Sequence, residues 1–331
     1  MINDEAITLA AETIKNSLKN VIITHINPDG DAIGSSLALY YAIKVLNHEA
    51  IIIIDSDVPH FLKFLPGSEQ IELYNPTRHD RIFRECDTVY CLDFNSIKRM
   101  RSIYNIFNAI SANKVLIDHH IEPQDFCNVC ILDFDASSTG EIIWRILKKL
   151  DIKIDSNIAS ALYTAIMTDT GSFRFERTNS EIHRIVAELI DCGANPTEIY
   201  EKVYNQNSLN IVKLLGLALA SLELFYDGKL SVMTITDEMF RNTQTNDDDI
   251  EGFVEKTLMI KGVLAGILIT EVARKKEIRI SIRSKGDINV RELAYRFGGG
   301  GHLNASGVRI YGSDFQTTRK MIINEAQNLF K

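Results

Sequence analysis

The chain has 331 residues, 45% hydrophobic and 24% charged, with a formal net charge of −8. Such a length exceeds one ordinary core and calls for two domains. The acidic balance excludes avid, sequence-independent binding of long nucleic acid, which depends on many phosphate contacts, but not a short anionic substrate held by a local basic patch and metals.

In chain order, Met1-Ile2-Asn3-Asp4-Glu5 has no basic stretch leading into an apolar one, and no apolar run approaches the roughly 20 residues that span a bilayer. No membrane partner and a cytoplasmic location are therefore expected. The runs Val21–Thr24, Ala50–Ile54, Thr88–Leu92 and Val115–Ile117 are short, apolar and largely β-branched, each ending at polar or acidic residues. A helical pattern such as Ile33–Leu46 alternates with them. This alternation predicts an α/β domain with a mainly parallel sheet flanked by helices, its functional residues at the carboxyl ends of the strands. From Ile158 to about Leu224 the pattern is mostly helical, and 207–225 reads as one long connecting helix. Leu230–Ile235, Leu264–Thr270 and Ile278–Ile282 then predict a smaller α+β domain, with 242–249 as a mobile loop inside it. The expected division is 1–190, a helical linker over 191–225, and 226–331, with the active-site cleft between the lobes.

Five scattered cysteines fit a reducing compartment. Cys127-Asn128-Val129-Cys130 lies in a strand-like run, where residues three apart face opposite ways, and no second pair completes a zinc set. Buried structural thiols are the expectation.

Metal chemistry is written at the strand ends. Val21-Ile22-Ile23 leads into His25-x-x-x-Asp29-Gly30-Asp31, one imidazole and two carboxylates, with Gly30 expected to let the backbone curl so that both carboxylates face one point. An ordinary turn with Asp31 capping the next helix explains one aspartate, but not the trio. Asp93 follows Thr88–Leu92 and alone is weak, since single strand-end aspartates are often turn residues. Asp118-His119-His120 ends the next apolar run. Asp169, in Met167-Thr168-Asp169-Thr170-Gly171, adds a carboxylate where a helix ending at Gly171 is the plain alternative. The set exceeds the needs of one metal and suits two divalent ions. Oxygen and nitrogen donors without thiolate favour Mn²⁺, while Mg²⁺ and other divalent ions also fit.

Farther on, Arg283-Ser284-Lys285-Gly286 follows a strand, and Phe297-Gly298-Gly299-Gly300-Gly301-His302 presents four consecutive glycines, whose N–H groups suit an anion. Arg283 can grip phosphate in bidentate fashion and His302 can donate to it.

These motifs resemble the DHH phosphoesterase superfamily, and the glycine-rich block resembles the DHHA1 domain that accompanies it. The likeness covers nearly the whole chain. It implies that His25 and Asp29 hold one ion, Asp31 and His119 the other, that Asp93 bridges, and that Asp169 completes the centre. Asp118 then orients imidazole, His120 faces the substrate phosphate, and His120, Asp118 and Asp93 are the catalytic group. Arg283, Ser284, Gly299, Gly300, Gly301 and His302 become the substrate-binding set. The compact length resembles the NrnA-type group, which implies hydrolysis of two- to five-nucleotide RNA or DNA and of 3′-phosphoadenosine 5′-phosphate (pAp). A homodimer is compatible with the resemblance. A phosphodiesterase for linear or cyclic dinucleotides, a RecJ-like single-strand exonuclease, a family II pyrophosphatase and an inactive nucleotide-sensing module rank behind.

Overall fold

The computed structural model describes residues 4–330, which divide into two compact units between residues 206 and 207. The first runs α1 (Asp4–Asn16), β1 (Lys19–Thr24), α2 (Gly30–Val45), β2 (Glu49–Ile54), β3 (Ile71–Leu73), α3 (Pro76–Glu85), β4 (Thr88–Leu92), α4 (Tyr104–Ala109), β5 (Asn113–Asp118), β6 (Val129–Leu132), α5 (Thr139–Lys149), α6 (Ser156–Asp169), α7 (Ser180–Asp191) and α8 (Pro196–Tyr204). Its six strands are all parallel, in the order β3-β2-β1-β4-β5-β6. Both faces are covered, which explains why the strands read as continuous apolar runs. Along β1, Ile22 packs into one core with α2, α5, α6 and α7. Val21 and Ile23 point the other way, into a second core with Phe83 of α3 and Ile106 and Phe107 of α4. Strand order reverses between β1 and β4, so a crevice opens at their carboxyl ends.

The second unit runs α9 (Leu209–Ala220), β7 (Glu223–Phe225), β8 (Leu230–Ile235), α10 (Asp237–Thr243), β9 (Ala265–Val272), β10 (Glu277–Ser284), α11 (Val290–Arg296), β11 (Gly300–Gly301), β12 (Ala305–Tyr311) and α12 (Phe315–Ala326). Its sheet, ordered β11-β12-β10-β9-β8-β7, is mixed: β8 and β9 run parallel and the other pairs antiparallel.

The long helix expected over 207–225 stops at Ala220. Ser221 Oγ donates to Thr234 O and accepts from Thr234 N, both at 2.9 Å, and this brings Glu223–Phe225 in as an edge strand on β8. Leu214 and Ala218 of α9 pack on Met233, Ile235 and Leu268 of the second sheet, whereas Ile199 of α8 is buried in the first core. The stretch expected as a separate linker is thus shared between the units.

The 242–249 connection is also not a free loop. Asp247 is 3% exposed and accepts from Lys275 Nζ at 2.6 Å, from Arg279 Nη2 at 2.8 Å and from Arg274. Burial pushes its carboxyl up, but these three cations outweigh that and hold it down at about 2. A depressed pKa gives stability that is present above the ordinary value near 4 and lost as pH falls toward 2; a shift of this size is worth about 2 kcal/mol. Asp247→Asn should therefore lower stability at pH 7, by up to about that much. In urea titrations the difference from wild type should shrink between pH 4 and pH 2. A constant difference down to pH 2 contradicts this reading.

Of the cysteines, Cys91 is buried, Cys127 is half-buried and Cys130 is exposed, so the expectation of buried thiols fails for Cys130. All five are free, and among the described residues none joins a metal-ligand group. No helix of the described chain is long and apolar enough to cross a membrane.

Candidate metal centre

Three strand ends and two helix ends build this site. β1 delivers His25, β4 delivers Asp93 and β5 delivers Asp118, His119 and His120. The start of α2 supplies Asp29 and Asp31, and Asp169 is the last residue of α6. Asp93 turns the chain out of β4 with φ +66°, a left-handed conformation that aspartate tolerates better than most residues and that clusters at functional sites.

The cap of α2 is Asp29, not Asp31: its Oδ1 accepts from Asp31 N and Ala32 N, both at 3.1 Å. Asp31 is thereby free to point inward, where it is 1% exposed. Its Oδ2 accepts from Thr139 N at 2.7 Å and its Oδ1 from Gly140 N at 2.9 Å, the first amides of α5. A helix N-terminus is a natural seat for a carboxylate. Thr139 Oγ1 also donates to Asp93 Oδ1 at 3.1 Å. Sequence reasoning did not single out Thr139 and Gly140, although Ser138-Thr139-Gly140-Glu141 carries the capping-box signature.

Gly30 does not serve as the expected swivel, since it lies inside the first turn of α2 with no positive φ. Its need is closeness: a Cβ there would stand 2.4 Å from Thr168 Oγ1. At Gly34 it would meet Ala161 O at 2.4 Å, and at Gly140 it would meet Ala165 Cβ at 2.5 Å. These glycines let α2, α5 and α6 approach backbone to backbone, which is how Asp31 and Asp169 come to share one centre.

Donor atoms fall into three overlapping groups, each within 4.8 Å: His25, Asp29 and Asp93; Asp31, His119 and Asp169; and Asp93, His119 and His120. Asp93 joins them, with Oδ2 3.5 Å from His25 Nε2 and Oδ1 3.6 Å from His119 Nε2. His119 Nε2 lies 3.3 Å from Asp169 Oδ2 and 3.8 Å from Asp31 Oδ2. Both imidazoles have their Nδ1 beside a carbonyl, Ile26 O at 2.9 Å for His25 and Ala136 O at 3.3 Å for His119. Donation from Nδ1 leaves an Nε2 lone pair facing the carboxylates, the arrangement a metal-ligating histidine needs.

Electrostatics give the same picture. Burial, and then the neighbouring carboxylates, push Asp31, Asp93 and Asp169 well above the usual range. Burial, then the neighbouring His120, lowers His119 to about 4, and burial lowers His25. Crowded carboxylates beside neutral imidazoles lack positive charge, and divalent cations would supply it; the donor set fits such ions.

Asp118, fully buried, works on the second histidine of the triplet. Its Oδ1 lies 2.7 Å from His120 Nδ1 and accepts from His119 N at 2.9 Å.

The residues expected to bind substrate belong to the second unit, where several are already engaged. Arg283 Nε donates to Glu255 Oε1 at 3.0 Å, and Ser284 Oγ donates to Ile288 O at 2.6 Å. Gly298 N and Gly299 N close the end of α11 on Tyr295 O and Ala294 O. Gly300 and Gly301 form β11, paired with Gly307 and Ser306. The four glycines thus offer fewer free amides than their run suggests. A Cβ at Gly299 would stand 2.2 Å from Gly307 O, so close packing against β12 fixes at least that one. His302 is exposed at the tip of this hairpin.

A parallel α/β sheet whose strand ends gather carboxylates and imidazoles around a shared aspartate defines a protein of the metal-dependent hydrolase class. The chain belongs to the DHH family of phosphoesterases: residues 19–166 match the DHH family N-terminal domain and residues 227–328 the DHHA1 domain. It is 28% identical over 324 residues to the "bifunctional oligoribonuclease and PAP phosphatase NrnA" of Thermus thermophilus, covering 96% of this chain and 93% of that one. The Bacillus subtilis protein of the same name is 28% identical over 305 residues, covering 90% and 92%. The crystal structure of an exopolyphosphatase-related protein from Bacteroides fragilis superposes with a TM-score of 0.94 at 35% identity, covering 100% of this chain and 99% of that one.

Proposed function

We propose that this phosphoesterase hydrolyses oligonucleotides of about two to five residues to mononucleotides, and pAp to AMP, with two divalent ions, Mn²⁺ foremost. The observation that carries the reading is Asp93, whose two oxygens face His25 on one side and His119 on the other. The relatives named as oligoribonuclease and PAP phosphatase support the substrate class.

His25 and Asp29 would hold one ion, Asp31 and His119 the other, with Asp93 between them and Asp169 beside His119. Bound there, divalent ions lower the pKa of water and neutralise charge on phosphoryl oxygens. The protein's own contribution is placement. Thr139 and Gly140 fix both oxygens of Asp31, and Thr139 also fixes Asp93. Asp118 holds His120 through Nδ1, which would orient its Nε2 to donate a proton to the leaving oxygen. For pAp, water adds to the 3′-phosphorus, the bond to O3′ breaks, and O3′ leaves with the proton from His120. AMP and inorganic phosphate result. Arg283, Ser284, Gly299, Gly300, Gly301 and His302 would bind the nucleotide portion, Arg283 exchanging Glu255 for phosphate.

The test is a side-by-side Mn²⁺ assay of pAp, a ladder of end-labelled oligonucleotides, a cyclic dinucleotide and pyrophosphate. Dimers and pAp should turn over at least ten-fold faster than a 24-mer. Equal or faster digestion of the 24-mer overturns the short-substrate reading. His120→Ala should lower kcat by about 10²–10⁴-fold, the range for a lost general acid.

A further inference from the structure

We infer that Arg99 and Arg177 together clamp a substrate phosphate at the metal centre, and that Phe175, on the same turn as Arg177, is the platform on which a substrate base stacks. This inference rests on the phosphoesterase reading above and adds the residues of the first unit that hold the substrate.

Arg177 reaches the centre from the turn that follows α6. Its Nη1 lies 3.4 Å from His119 Nδ1 and 3.4 Å from Ala136 O. Because His119 must keep its Nε2 lone pair to bind a metal, its Nδ1 carries the proton, and Arg177 can donate only to Ala136 O. That is one long bond from a group with five N–H donors. Arg99 lies on the turn after β4, where its carbonyl accepts from Ile26 N at 3.0 Å, next to His25. Its guanidinium makes no hydrogen bond or ion pair with the described residues, and Arg177 makes no ion pair with them. Five aspartates crowd this centre, yet neither arginine pairs with one. After the larger effect of burial, the field of Arg99 is felt at His25 and Asp93, and that of Arg177 at His119 and Asp169.

Two guanidinium groups without an ion-pair partner among the described residues, beside a site that fits divalent cations, would repel those cations unless an anion offsets their charge. A phosphate that shares its oxygens with metals and guanidinium groups meets this condition, and arginine's planar fork matches it.

The turn that carries Arg177 is costly and tightly wired. Gly171, Ser172 and Phe173 all have positive φ (56°, 60° and 64°), a conformation that costs ordinary residues of order 1–2 kcal/mol each and persists where function needs it. Thr170, 1% exposed, holds the turn: its carbonyl accepts from Arg174 N and Phe175 N at 2.9 and 3.1 Å, and its hydroxyl accepts from Phe173 N at 3.1 Å. The outcome is a Phe175 ring laid over Gly171, two residues from Asp169, where a Cβ on Gly171 would stand 2.5 Å from it. Phe175 is nonetheless 55% exposed. A large aromatic fixed on one side and open on the other is what base stacking requires.

The experiment compares wild type with Arg99→Ala, Arg177→Ala, Arg177→Lys, Phe175→Ala and Phe175→Trp, all Mn²⁺-loaded, on a dinucleotide and on bis(p-nitrophenyl) phosphate. Each arginine-to-alanine change should lower kcat/KM on both substrates at least ten-fold, while calorimetric Mn²⁺ affinity stays within three-fold and the melting temperature holds. Arg177→Lys should recover part of the loss. Phe175→Ala should raise KM for the dinucleotide at least ten-fold, with Phe175→Trp recovering part of the loss; a KM unchanged in Phe175→Ala overturns the stacking platform. Inorganic phosphate binding to the Mn²⁺-loaded protein, which needs no turnover, should weaken at least ten-fold in both alanine variants. Wild-type phosphate affinity in Arg99→Ala and Arg177→Ala overturns the clamp, as does activity loss explained by lost Mn²⁺. Wild type that binds phosphate through these arginines but turns over no nucleotide would overturn the substrate reading and leave the clamp standing.

Discussion

Asp93→Asn should lower kcat by at least 10³-fold while the metal-free protein becomes more stable, not less. Asp93 is 1% exposed, and burial and the nearby Asp29, Asp169 and Asp118 disfavour its charge. A neutral side chain of the same shape removes that repulsion and the cost of burying a charge, and should therefore stabilise the metal-free protein. It also removes a carboxylate that faces both His25 and His119, the ligand proposed to be shared by the two halves of the centre. Activity and stability should move in opposite directions. The checks are steady-state kinetics on a dinucleotide with Mn²⁺, and melting of the metal-free proteins at pH 8. A variant that is both inactive and less stable would make Asp93 a structural residue.

Gly34→Val should be the most damaging single change away from the ligands. The added Cβ would meet Ala161 O at 2.4 Å, a backbone atom inside α6 that no rotamer change can move aside. Overpacking of this kind costs about 1–3 kcal/mol or more. Relief requires α2 and α6 to separate, and that separation carries Asp31 away from Asp169. A misplacement near 1 Å can cost about 10²-fold in rate. Urea unfolding and kinetics on the folded fraction should both register the change, with Gly34→Ala intermediate. Wild-type activity in folded Gly34→Val would contradict the claim that close helix packing sets the site.

Most of the first unit was legible in the sequence because a parallel sheet buried on both faces leaves apolar runs ended by polar residues, and those ends are where the donors lie. Strands over Thr88–Leu92 and Leu230–Ile235 appear with the expected bounds. β3, three residues of which none is buried, left no such signal. Glu223–Phe225 was hidden by the leucines of α9, since a leucine-rich run cannot reveal that Ser221 ends a helix by bonding a neighbouring strand. At the centre, residue types announced the metal chemistry, but the division of labour needed coordinates. Asp29 rather than Asp31 caps α2, Gly30 serves closeness rather than a turn, and Asp118 grips His120. Arg99 and Arg177 carried no motif, because an unpaired arginine is recognisable only from what it fails to touch.

The most direct test of the centre is a titration of Mn²⁺ into the metal-free protein, followed by calorimetry and electron paramagnetic resonance. Two ions per chain, magnetically coupled as expected for a spacing of roughly 3.5–4 Å, are predicted for wild type, with the coupling lost in Asp93→Asn. A single uncoupled ion, or coupling that survives Asp93→Asn, would contradict a two-metal centre bridged by that residue.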